Sequence, residues 1–207
     1  MNHKVNSVAD LYTSSVELYN KVVIGTNDTS AASIAKNLRE GIEALKNSWQ
    51  GMDAGTQINN VVTVYNAVVK IKNLLSSLTV ETSKIAADYR AIQRANGANN
   101  LEELMKIKED APDTVMPEYS DSRDTVNITQ DAVNGKNKVD AANTGMDGFI
   151  TDVKRYFDEI MSNWTMGPKR DEAKQSFDEF ISKAPAYKNL LAEVSQSITT
   201  ALQNYGM

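Results

Sequence analysis

A sharp stop between two long helical patterns, Ser48-Trp49-Gln50-Gly51-Met52-Asp53, most constrains what this chain can fold into. Upstream, apolar residues recur at spacings of three and four, which is the period of one helix face. They are Ile34, Leu38, Ile42, Leu45 and Trp49. Downstream, a heptad pattern runs from Val61 to Ile92. Because Gly51 can adopt the backbone conformation that ends a helix and Asp53 can cap the next, the pattern predicts an antiparallel hairpin.

The same arrangement occurs again at Trp164-Thr165-Met166-Gly167-Pro168. One helical pattern leads into it from Ala142, and a second heptad follows it from Ala173 to Tyr205. Pro168 suits the first position of a helix, where its missing N–H has no intrahelical acceptor. Such an internal repeat predicts two hairpins in tandem. Since one hairpin cannot cover both of its apolar seams, the expected fold is all-α, with two antiparallel helical hairpins packed as an elongated four-helix bundle.

Charge and proline placement divide the chain into a first hairpin at 1–96, an acidic linker at 97–122 and a second hairpin at 123–207. The pattern at Leu101–Lys108 is compatible with a short helix, and the third long helix is predicted to begin near Asp124. The linker is also long enough to travel the ~60 Å of a 40-residue helix. We therefore expect it to run along the bundle, with the two tryptophans at opposite ends.

Composition argues against catalysis and against several kinds of ligand. There is no cysteine, and the one histidine, His3, lies at the N-terminus, so neither thiolate nor imidazole chemistry has a basis. We expect no enzymatic activity, no cofactor and no metal site. The net charge of −5 lacks the basic stripe of a nucleic-acid-binding protein, and no apolar run reaches the length of a membrane span.

The turn residues allow two interpretations. Each tryptophan can plug the end of its hairpin, since a large aromatic side chain buries much area. Alternatively, half-exposed tryptophans at both tips would be strong anchors for a partner, which favours a recognition role for Trp49, Gly51, Trp164 and Gly167.

A helix, a Trp-x-Gly turn and a second helix, with no apolar signal segment at the N-terminus, resemble the small Esx/WXG-motif proteins of type VII secretion systems. The first hairpin carries the motif as Trp49-Gln50-Gly51, whereas Trp164-Thr165-Met166-Gly167 has one residue too many and looks like a divergent copy. Members of that family are usually single hairpins that pair into dimeric four-helix bundles. This chain is similar to such a dimer fused head to tail, which implies a monomeric pseudo-dimer.

The resemblance implies a non-enzymatic substrate or adaptor of a type VII (ESX-like) system, secreted without a cleaved signal peptide or cytoplasmic before export. Its expected partners are the FtsK/SpoIIIE-type secretion ATPase or another secreted protein. The family's Tyr-x-x-x-Asp/Glu export signal is absent, because Tyr89-Arg90-Ala91-Ile92-Gln93 ends in glutamine. The alternative is a helical-bundle binding or sensor module unrelated to secretion.

Overall fold

The chain is all-α in its architecture. A computed structural model describes residues 4–121, 123 and 126–206. Its long helices are α1 (Val8–Glu17), α2 (Ala31–Ser48), α3 (Met52–Ala95), α4 (Ala132–Asn163) and α5 (Pro168–Asn204), and a π-helical segment, Leu18–Val23, continues α1. Four very short strands accompany them: β1 (Lys4–Val5), β2 (Trp49–Gln50), β3 (Asn127–Ile128) and β4 (Trp164–Met166).

Both predicted turns lie where the tryptophans and glycines indicated. Helix α2 ends at Ser48 and α3 begins at Met52, while α4 ends at Asn163 and α5 begins at Pro168. Pro168 occupies the start of α5, as predicted. Ser30 caps α2 by accepting a hydrogen bond of 3.1 Å from the Ser33 N–H. Pro185 lies inside α5 without ending it.

The predicted apolar seams form the core. The α3 seam is buried from Val61 to Ile85, but Ile92 near the end of the helix is 45% exposed. Helix α3 packs against α1, α2 and α5, and α4 packs against the same three helices. One buried polar contact joins α1 to α3, where the hydroxyls of Ser15 and Thr82 lie 2.6 Å apart.

Two glycines of α4 allow a close approach between helices. A Cβ at Gly145 would lie 2.2 Å from the Asp28 carbonyl oxygen, and one at Gly135 would lie 2.7 Å from the Leu45 side chain. Glycine is therefore present at these helical positions, despite its low helix propensity, because α2 and the residues just before it come too close for a side chain. The sequence suggested such a close approach as one possibility.

The structure departs from the sequence-based expectations at two places. The segment Leu101–Lys108, which could have formed a short helix, has no regular secondary structure, and the Ile107 N–H bonds to the Ser83 hydroxyl of α3. The third long helix begins at Ala132, since the preceding residues Asn127–Ile128 form strand β3; Asp124, its predicted start, lies outside the described residues.

Candidate functional site

The first tryptophan turn is covered by a strand from elsewhere in the chain. Strand β2 pairs antiparallel with β3, with Trp49 opposite Ile128 and Gln50 opposite Asn127. Trp49 is only 3% exposed and Ile128 is equally buried. Gly51 follows with a φ of 114°, a conformation that side chains disfavour, and so permits the tight exit into α3.

An aspartate from the linker completes this turn. The Gly51 N–H donates a 2.9 Å hydrogen bond to the Asp121 carboxylate. The same carboxylate accepts two hydrogen bonds from the Arg123 guanidinium, at 2.7 and 2.6 Å, and one of 3.1 Å from the Arg123 main-chain N–H. The Arg123 guanidinium, and after it the Gly51 N–H, hold the pKa of Asp121 well below its usual range. Asp53, to which the sequence assigned the capping, lies within the first turn of α3, and no side chain among the described residues caps that helix. Asp121 instead bonds the N–H of Gly51, the residue just before the helix.

The second turn is built in the same way. Strand β4 pairs antiparallel with β1, and Trp164, which is fully buried, lies opposite Val5. The Asn6 side chain donates a 2.9 Å hydrogen bond to the Ser162 carbonyl oxygen. Arg170 donates a 2.6 Å hydrogen bond from Nε to the Trp164 carbonyl oxygen, which fixes the exit into α5 just after Gly167.

Each tryptophan turn thus pairs with a short strand that lies just before the first helix of the other half of the chain. Strand β3 stands just before α4 and covers Trp49, while β1 stands just before α1 and covers Trp164. Of the two interpretations of the tryptophans, half exposure is wrong, because both residues are buried at turns that pair with a short strand. Their partner-binding role stays a prediction, and it requires the covering strand to move.

A groove of about 560 Å³ lies beside the first turn, between the start of α3 and the end of α5. Trp49, Gln57, Thr200 and Tyr205 line it. The Trp49 Nε1 and the Gln57 Oε1 are buried, and neither has a hydrogen-bond partner among the described residues. Because Tyr205 donates a 2.8 Å hydrogen bond to the Val126 carbonyl oxygen, the end of α5 is held next to β3.

The linker reaches this turn by running back along α3 as an extended segment, which we call the strap (residues 102–121). Its contacts with α3 follow an inverse order along the two segments. Reading along the strap, residues 102, 107, 113, 116, 119 and 121 contact residues 90, 83, 73, 66, 59 and 51. The linker therefore follows α3 over most of its length, as the sequence argument on its reach expected.

Three asparagines at heptad spacing hold the strap, and we call Asn59, Asn66 and Asn73 the asparagine ladder. Each side-chain amide bonds both the N–H and the carbonyl oxygen of one strap residue. Asn66 accepts from the Met116 N–H at 2.7 Å and donates to the Met116 carbonyl oxygen at 2.9 Å. Asn73 and Asn59 do the same for Asp113 and Tyr119, respectively. The ladder was not predicted from the sequence, although the seven-residue spacing of the asparagines is visible there.

Nothing in the described part of the chain resembles a metal centre or a membrane span. No group of three or more acidic or histidine residues there could hold a metal ion. No helix in the same part is long and apolar enough to cross a membrane. Ion pairs such as Lys154–Asp158 and Lys174–Asp178 join exposed side chains one helical turn apart, an arrangement typical of a solvated helix surface.

Comparisons with known proteins give no relative for the chain. No family model, no curated protein and no solved structure matches it significantly.

Proposed function

We propose that the protein is a non-enzymatic interaction protein of a type VII (ESX-like) secretion system, acting as a substrate or an adaptor. The observation that carries the proposal is the reciprocal covering of the two tryptophan turns. Strand β3 pairs with Trp49 and β1 pairs with Trp164, as in a dimer whose two members have been joined into one chain. The proposed partners are a secretion ATPase of the FtsK/SpoIIIE type or another secreted protein, and nucleic acid is not among them.

The architecture belonging to this proposal is two antiparallel hairpins, 1–96 and 123–207, packed as an elongated four-helix bundle. Contacts at both ends of α5 support it. Near the start of α5, Lys169 lies 3.4 Å from Glu81, far along α3 from Trp49. Near its end, Tyr205 lines the groove beside Trp49. Because one chain supplies both hairpins, we propose that the protein is a monomeric pseudo-dimer, which is secreted by this system or cytoplasmic before export.

The secretion assay compares culture medium from wild-type cells with medium from cells that lack the secretion ATPase. We expect the native protein in the first medium and not in the second, with a cytosolic enzyme as the control for lysis. Equal amounts in both media, or none in either while the protein accumulates in cells, would contradict secretion by this route. A pull-down from the same cells then separates a substrate, which binds the ATPase, from an adaptor, which copurifies with a second secreted protein.

One observation favours the alternative of a binding or sensor module. A groove of about 560 Å³ between α3 and α5 is large enough for a small molecule. Polar and aromatic side chains line it, including Thr63, Lys70, Glu179, Phe180, Lys183 and Tyr187. Native mass spectrometry of protein purified from its own host tests this alternative, since a copurified small molecule lost on Phe180→Ala would support it.

A further inference from the structure

The asparagine ladder matches the repeat of an extended chain. Seven helical residues rise ~10.5 Å, and three extended residues span roughly 10 Å. Asparagines seven apart on α3 therefore meet strap residues three apart, which are Asp113, Met116 and Tyr119. We call each asparagine with the strap residue that it bonds a rung. The match in length continues over all three rungs, so the ladder selects an extended segment that lies antiparallel to the helix.

The ladder recognises main-chain atoms only. An asparagine side chain carries one acceptor and one amide donor group, which pair with the N–H and the carbonyl of a single residue. Every residue except proline has both groups, and neither strap proline bonds to the ladder: Pro112 lies just before the first ladder-bound residue, Asp113, and Pro117 lies between Met116 and Tyr119. Because the residue before a proline favours an extended backbone, Pro117 also holds Met116 in the conformation that the ladder needs.

Side chains beside the ladder define the charge of the segment that fits. Lys72 pairs with the Asp113 carboxylate. On the α2 side, the Lys46 ammonium lies 5.0 Å from the centre of the Tyr119 ring, a cation–π geometry. The site thus suits an acidic segment that carries an aromatic residue at the last rung.

The strap is only partly buried in this site. Val115 and Met105 are 47% and 78% exposed. A gap of about 120 Å³ separates the strap near Pro112 from Ile24 and Ser76 beneath it. The strap has no helix or strand of its own between residues 102 and 121, so contacts with the helices are what hold it.

We propose that this face of α2 and α3 is a binding site for an extended, acidic polypeptide segment of a partner protein, with the strap as its resident occupant. The partner segment presents the same main-chain groups and the same charge, and it binds by displacing strap residues 113–121. Since β3 follows the strap and covers Trp49, displacement also loosens the cover of that turn. The proposal stands on the ladder geometry and does not depend on secretion.

The test measures binding of a fluorescein-labelled peptide with the sequence of residues 109–121 to the full chain by fluorescence anisotropy. Met116→Pro removes the N–H that Asn66 accepts and so weakens the resident strap while leaving the ladder intact. Val115→Pro makes the same change at an exposed neighbour whose N–H makes no hydrogen bond in the described structure, and it is the matched control. We expect the Met116→Pro protein to bind the peptide about tenfold more tightly than wild type or Val115→Pro.

The ladder is tested in the Met116→Pro background. Asn66→Ala removes two hydrogen bonds to the peptide and should weaken binding about tenfold or more. Asn60→Ala, which changes an asparagine of the same helix outside the ladder, should not weaken binding. A peptide N-methylated at the Met116 amide should fail to compete, and one methylated at the Val115 amide should compete. If the Met116→Pro protein loses its helical spectrum, Tyr119→Gly loosens the strap at another rung and keeps every amide.

Three results would overturn the proposal. The first is a folded, strap-weakened protein that binds the peptide no more tightly than wild type. The second is binding that Asn66→Ala leaves unchanged. The third is a concentration-dependent dimer of Met116→Pro without peptide binding, which would assign the face to a second copy of the chain.

Discussion

Trp49 shows how a residue that marks a turn in the sequence can be covered in the structure. Its ring is 3% exposed beneath Ile128, and its Nε1 has no hydrogen-bond partner in the described structure. A buried donor without a partner costs free energy, so the indole N–H opposes the stabilisation that the ring contributes by burial. Burial of the Trp49 ring, rather than hydrogen bonding by its N–H, therefore stabilises this end of the molecule.

Two substitutions at Trp49 separate shape from polarity. Trp49→Ala should lower the free energy of unfolding by roughly 3–5 kcal/mol, as for other large buried aromatics. Trp49→Phe keeps most of the ring and removes the unpartnered donor, so its loss should stay below about 1.5 kcal/mol. Urea unfolding measures both values, and equal losses for the two variants would contradict this assignment.

Asp121 gives the stability a defined pH dependence. Its folded-state pKa is lowered, chiefly by Arg123 and then by the Gly51 N–H, so the folded chain favours the ionised carboxylate. The resulting stabilisation is complete above about pH 5 and is lost as the pH falls through ~4 toward the lowered pKa. Between pH 5 and pH 2, the wild-type free energy of unfolding should therefore fall more steeply than that of Asp121→Asn.

The matched control for this pH series is Glu118→Gln, which changes an exposed acid of the same strap. Its pH profile should run parallel to that of the wild type. Urea unfolding at intervals of half a pH unit gives the comparison. Parallel profiles for wild type and Asp121→Asn would show that the carboxylate contributes nothing through its ionisation.

The asparagine ladder marks the limit of prediction at this scale. Asn59, Asn66 and Asn73 share one face of a predicted helix, and their spacing is visible in the sequence. The groups that these asparagines bind cannot be identified from the sequence, because the strap residues lie forty or more positions away and offer the ladder only main-chain atoms. The turns could be predicted because a local property decides them, namely the backbone freedom of glycine and the restriction of proline.

At the scale of elements, close contacts between helices outweigh helix propensity in deciding which residue occupies a helical position. In α4, Gly145 faces the Asp28 carbonyl, just before α2, at a separation that excludes a side chain. Propensity alone disfavours glycine in a helix by ~1 kcal/mol relative to alanine. The tertiary contact therefore decides the residue at this position.

Gly145→Ala should consequently lower the melting temperature, although it improves helix propensity. Its Cβ would lie 2.2 Å from the Asp28 carbonyl oxygen, and overpacking of this kind costs ~1–3 kcal/mol. Gly148→Ala is the graded control, because its Cβ meets the Thr29 side-chain methyl, which can rotate away more easily than a backbone can shift. A higher melting temperature for Gly145→Ala, measured by circular dichroism, would contradict the close approach.

The elements that the sequence missed are those without a periodic signal. Strands β1 to β4 have two or three residues each, too few to show alternation, and they form only because distant segments meet at the turns. The short helix considered at Leu101–Lys108 does not form, for a related reason. Its local pattern allowed a helix, but the Ile107 N–H bonds to the Ser83 side chain of α3, a distant contact that the local sequence does not show.

At the scale of the whole molecule, we propose that the two hairpins lie antiparallel to each other. The strap supports it, because a chain that leaves the end of α3 returns along that helix before β3 and α4 begin. The ion pair between Lys169 and Glu81 supports it independently. Both observations separate the tryptophan turns by a large part of the length of α3.

The distance between the two turns tests this claim most directly. The chain has no cysteine, so spin labels at Met52→Cys and Met166→Cys are the only ones attached, and both methionines are more than half exposed. Glu81, which contacts the start of α5, lies about 29 residues along α3 from Met52, so double electron–electron resonance should give a separation of ~45 Å. A separation of ~10–20 Å, well short of the helix length, would mean that the hairpins are parallel and would contradict the antiparallel arrangement.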